Sequence, residues 1–98
     1  MKTFFDSIYI GSGEDGAEYP IKLEYFKTVE DEENVRAKYG VEVVITEFIQ
    51  GKVNIESKRV ENISNRESEI DEFLTILRDN EVTPIGIQDA IDETFVQL

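Results

Sequence analysis

Four groups of residues in this chain have types and spacings that could do chemistry. Gly11, Gly13 and Gly16 form a G-x-G-x-x-G pattern, the spacing with which a glycine-rich loop cradles a dinucleotide pyrophosphate. Glu30-Asp31-Glu32-Glu33 offers consecutive carboxylates to a cation. Asp89, Asp92 and Glu93 stand at i, i+3 and i+4, which would gather them on one face of a helix. Ser57-Lys58 is formally a nucleophile beside a base.

Each lacks the surroundings its chemistry needs. A dinucleotide loop requires a helix directly after its last glycine, whereas Gly16 is followed by AEYPIKLEYF, a strand-like run with a proline. Glu14 and Asp15 would also set negative charge against the phosphates. The glycines therefore read as a flexible loop or hairpin link. The acidic run has neither the glycine nor the ligand spacing of a calcium loop. It reads as a solvated loop or the first turn of a short helix, where acids favour the dipole; a low-affinity divalent-cation site is the lesser alternative. Asp89, Asp92 and Glu93 lie opposite the apolar stripe of their helix and read as solvated surface. Catalytic carboxylates need a cleft and unequal environments. Ser57 and Lys58, as neighbours in a strand, would point to opposite faces.

Histidine and cysteine are both absent. That removes the usual general base at neutral pH, the commonest metal ligand, thiolate zinc sites, cysteine nucleophiles and disulfides. The expectation is a non-enzyme with no catalytic residue, no cofactor and no metal site.

The elements that would position these residues are legible from periodicity. Residues 3–10, TFFDSIYI, are aromatic and β-branched and suit a first strand or an ordered arm. From Pro20, Ile21, Leu23 and Tyr25 alternate with Lys22 and Glu24, as in a half-buried strand. After Gly40, VEVVITEFIQ and KVNIESKRV flank Gly51 and read as a hairpin. A three-residue loop, Ile49-Gln50-Gly51, would oppose Ile45 to Ile55 and place Val41, Val43, Ile45, Val53 and Ile55 on one face. A two-residue loop would mix the faces and is the less favoured reading. Ser64-Asn65-Arg66-Glu67 matches a capping box, with Ser64 as N-cap. Ile70, Phe73, Leu74 and Leu77 follow at helical spacing, with Asn80 as a left-handed stop. Thr83 and Pro84 open a second helix, stapled by Val82 and Ile87. Its apolar face is Ile87, Ala90, Ile91 and Phe95, with Leu98 as an optional extension. Strands first and helices last predict an α+β fold: a three- or four-stranded antiparallel sheet followed by two C-terminal helices packed on one face.

The 98 residues suit a single domain over 1–98, with 1–18 as an extra strand or a mobile arm and loop. Twenty-two acidic against ten basic residues give a net charge of −12. No stripe of Lys and Arg forms, which argues against direct nucleic-acid binding and against an anionic membrane surface. The start, MKTFFDSIYIG, is too short and too polar for a signal peptide or a membrane span. The cytoplasm is the default compartment.

The second face of the sheet carries an anomaly. Even positions should be polar, and Lys22, Glu24, Glu42, Asn54 and Glu56 are. Phe26, Val44 and Phe48 also fall there and could form a contiguous apolar patch. Either the N-terminal segment, with Phe4, Phe5, Ile8 and Tyr9, folds back over them, or the patch is an interface for a homodimer or a partner protein. The leading functional class is thus a non-enzymatic protein-interaction or regulatory module. The alternative is an acidic mimic that occupies the nucleic-acid groove of a DNA- or RNA-binding protein.

The stretches KYGVEVVI, ENIS and NEVTPIGIQDAIDE resemble a family of short bacterial proteins from Gram-positive anaerobes, known only as a domain of unknown function. The likeness spans most of the chain from about Tyr19 onward. It implies a cytoplasmic bacterial protein and supplies no catalytic residues.

Overall fold

Alternation of apolar and polar side chains decides which way each strand faces, and the helices cover the face that alternation makes apolar. The computed structural model describes residues 1–12, 18–30 and 38–95. Strands β1 (Lys2–Ser12), β2 (Glu18–Val29), β3 (Tyr39–Ile49) and β4 (Lys52–Ser64) form one antiparallel sheet in the order β1-β2-β3-β4. Helix α1 (Glu67–Asp79), a 3-10 turn over Pro84–Gly86 and helix α2 (Ile87–Phe95) follow. This is the α+β arrangement that the order of elements predicts, with four strands.

Leu23, Tyr25, Val41 and Val43 project from the sheet onto Ile70, Phe73, Leu74 and Leu77 of α1 and Ile87 of α2, and all nine are fully buried. Each such side chain contributes roughly 1.5–3 kcal/mol through removal from water. The N-terminal segment does not fold back across the sheet. It pairs with β2 as an edge strand. A bulge between Phe4 and Asp6 shifts the alternation by one, so that Ile8 and Ile10 oppose Leu23 and Ile21 and pack on the core. Without that extra residue they would face the other side.

Four local readings are corrected. The β3–β4 hairpin has a two-residue turn: Ile49 pairs with Lys52, and Gln50 and Gly51 have φ of 51° and 78°. Positive φ at both central residues is the turn geometry that matches strand twist. Ile45 therefore opposes Glu56 rather than Ile55, and Val53 and Ile55 leave the helix-facing side. Ser64 is the last residue of β4, not the N-cap. Its hydroxyl accepts from the Arg66 amide at 3.0 Å and donates to Glu69 at 2.5 Å, while Glu67 accepts from Lys27 of β2 at 2.6 Å.

The stop of α1 falls one residue later than Asn80. Asn80 has φ −100°, and Glu81 takes the left-handed position at φ 53°. The amides of Val82 and Glu81 bond the carbonyls of Leu77 and Arg78 at 2.9 and 3.1 Å, which is a Schellman closure. Finally, Thr83 and Pro84 open the 3-10 turn before α2, and Thr83 makes no side-chain cap. Ala90, Ile91 and Phe95 pack on the core as expected; Leu98 lies outside the described residues.

Candidate functional site

The helices cover one face of the sheet, and no described element covers the other, the open face. Register assigns the open one residue by residue. Phe4, Phe26, Glu42 and Arg59 form a row across the four strands. Ser7, Glu24, Val44 and Ser57 form the next, then Tyr9, Lys22, Thr46 and Ile55. Phe48 and Val53 pair beside the hairpin turn.

Phe26, Val44 and Phe48 do share this face. They are not one tight cluster. Six residues along β3 separate the row of Phe26 from Phe48, roughly 20 Å at strand rise. Phe26 is half-buried: Phe4 meets its ring edge-on at 5.7 Å and the Lys2 ammonium lies 4.5 Å from its centroid. Val44 is also half-buried. Phe48 is 39% exposed and stands with Val53 at 58% and Ile55 at 62%. Exposed apolar side chains thus gather at the turn end, with Val44 leading from it toward Phe26, and stand again along β1, where Tyr9 is 68% and Phe4 53% exposed.

Sequence reasoning missed Val53 and Ile55. The three-residue loop had assigned them to the core, and the mixed faces that argued against the shorter turn are the arrangement adopted. The apolar sum of the hairpin was a poor guide here, because the helix layer lies mainly over β2 and β3. Asn54, Glu56 and Lys58 of β4 are exposed on the helix side.

Polar groups on the open face are internally compensated. Glu42 is only 7% exposed and is held by Arg59 at 2.8 Å and Lys2 at 3.3 Å. Lys22 lies 3.7 Å from Glu24 and 5.8 Å from the Tyr9 ring centroid. Bonding to Glu42 holds the Arg59 guanidinium even further above its ordinary range. These fixed pairs leave little unsatisfied charge to attract an ion.

Ser57 opposes Val44 and Lys58 opposes Val43, so the two side chains stand on opposite faces of β4. Asp89, Asp92 and Glu93 are exposed on α2, with Gln88 donating to Asp92 at 3.0 Å. Gly11 and Ser12 belong to β1, while Gly13–Gly16 and Asp31–Glu33 lie outside the described residues. Among the described residues no group of three acidic side chains is placed to hold a metal ion. A cavity of about 570 Å³ lies between the 3-10 turn and the end of the hairpin, lined by Ile45, Glu56, Lys58, Pro84 and Ile85 among others. No described helix is long and apolar enough to cross a membrane.

A four-stranded antiparallel meander with two helices on one face and a partly apolar second face that no described element covers defines the class: a small α+β domain. The chain belongs to the family of unknown function DUF6514, whose profile matches residues 8–97. No curated protein and no solved structure matches it.

Proposed function

We propose that this chain is a non-enzymatic interaction module that docks a protein partner on the turn end of its open sheet face. The observation that carries the reading is the exposure of Phe48, Val53 and Ile55 side by side on a face no described element covers. A few adjoining large apolar side chains in water are costly to maintain and are the usual anchor of a protein interface. Charge distribution supports the same face. Acids outnumber bases five to one in α1, and α2 carries three acids and no base. β1 and β2 each balance, β3 has two acids and no base, and β4 has three bases to two acids, so the sheet as a whole is close to neutral. An apolar approach to the sheet therefore meets little net repulsion. The family resemblance fits a bacterial, cytoplasmic protein.

Phe48→Asp is expected to abolish partner binding while leaving the far-UV circular dichroism and the cooperative melt in place. A variant that simply unfolds would make Phe48 core and end the reading.

The acidic helix layer favours a second reading. Its exposed carboxylates could imitate phosphates and occupy the groove of a nucleic-acid-binding protein. In that case Asp89→Asn with Asp92→Asn would weaken binding and Phe48→Asp would not.

A further inference from the structure

The two edges of the sheet are built differently. β1 is interrupted by bulges at Phe4/Asp6 and Ile10/Ser12, a common way to blunt an edge. β4 runs in unbroken register with β3 from Lys52 to Val60, and no described strand pairs with its outer side. Its residues from Lys52 to Arg59 are all exposed, Val53 and Ile55 among them. A long regular edge of this kind is a template for another strand. Ile49 and Lys52 close the two-residue turn as a hydrogen-bonded pair. Alternation from there leaves the backbone groups of Val53, Ile55, Ser57 and Arg59 directed away from β3.

We infer that the β4 edge pairs antiparallel with the β4 edge of a second copy of this chain, centred on Ser57, giving a continuous eight-stranded sheet. Charge picks both the occupant and the register. A twofold axis through Ser57 sets Glu56 opposite the second copy's Lys58, and Lys58 opposite its Glu56. These opposed pairs fall at a position without backbone hydrogen bonds, where side chains approach most closely. Centring one residue either way would oppose Glu56 to Glu56 or Lys58 to Lys58. Centring on Ile55 would oppose Lys52 to Lys58. The negative charge of the chain does not forbid the contact, because β4 holds three of its ten bases. At Ser57 itself the small side chains face each other on the open side without a clash. The dimer does not rest on the open-face docking reading; it would place two such faces edge to edge.

Sedimentation velocity of the full chain tests the pairing. Wild type is expected to be dimeric, and Glu56→Lys to weaken the dimer by about tenfold, because two attractive pairs become repulsive. Adding Lys58→Glu to that variant is expected to restore the dimer. Ser57→Pro removes an outward donor and leaves the β3 pairing intact, so it should yield a monomer with an unchanged circular dichroism spectrum. A wild type that stays monomeric up to about 1 mM overturns the inference. So does a dimer that charge reversal fails to weaken or that the double swap fails to restore. A dimer lost in Phe48→Asp but kept in Ser57→Pro would be face to face, which overturns edge pairing and leaves the open face as an interface.

Discussion

Tyr25 ties the sheet to the helix layer by a single atom. Its ring is fully buried, and its hydroxyl donates to the Val82 carbonyl at 2.9 Å in the link between the helices. Removing the hydroxyl leaves that carbonyl without its partner, so Tyr25→Phe is expected to cost about 1–2 kcal/mol in chemical denaturation. The same group gives a pH signature. Burial, and to a smaller extent the Glu81 charge, pushes the phenol well above its ordinary value of 10.0. A raised folded-state value means that the unfolded chain loses this proton first. Its contribution is complete below pH 10 and declines as pH rises beyond it, and the decline should be shallower in Tyr25→Phe than in wild type. At this scale the sequence was a fair guide to burial: Leu23, Tyr25, Ile70, Phe73, Leu74, Leu77 and Ile87 were all legible from periodicity. It was a poor guide to polar partners. The bond from Tyr25 to Val82 spans 57 positions and has no local signal.

The elements were legible in order and in type, and their ends were not. Helix α1 illustrates why. Ser64 and Glu67 carry the spacing of a capping box, yet Lys27 on β2 takes Glu67 and Asp71 at 2.6 and 3.0 Å, and Ser64 turns to Glu69. A tertiary ion pair thus displaced a local motif. At the other end the left-handed position falls on Glu81, a residue type with no particular liking for it, because the Leu77 and Arg78 carbonyls are closed there. Glycine at this position relieves the steric cost of a β-carbon. Glu81→Gly is therefore expected to raise stability by about 1 kcal/mol, measured by urea denaturation. The hairpin taught a related lesson. A three-residue turn would make both strands apolar on one side, but β4 lies at the sheet margin, where a strand need not serve the core.

For the whole molecule, net charge and its placement are the dominant features. The helices carry a net charge of −7 out of the chain's −12, whereas the sheet is close to balance. Self-repulsion within the helix layer works against the compact state, so the melting temperature is expected to rise with moderate salt. A flat dependence would mean that pairs such as Lys27 with Glu67 and Asp71 already compensate it. Gly40 marks another constraint that only the assembled molecule reveals. A β-carbon there would lie 2.3 Å from the Val60 carbonyl oxygen and 2.8 Å from the Glu61 Cα, so the bulged crossing of β3 and β4 has room for hydrogen alone. What the sequence could show of the open face was Phe26, Val44 and Phe48; its exposed turn end needed the register that brought Val53 and Ile55 beside Phe48.

The partner complex gives the most direct test of that face as the functional surface. Its dissociation constant should be measured between about 50 mM and 500 mM salt, a range over which exposed charges become strongly screened. An apolar face predicts a constant that changes by no more than a few-fold. A steep loss of affinity over that range would contradict it and assign binding to the acidic helices instead.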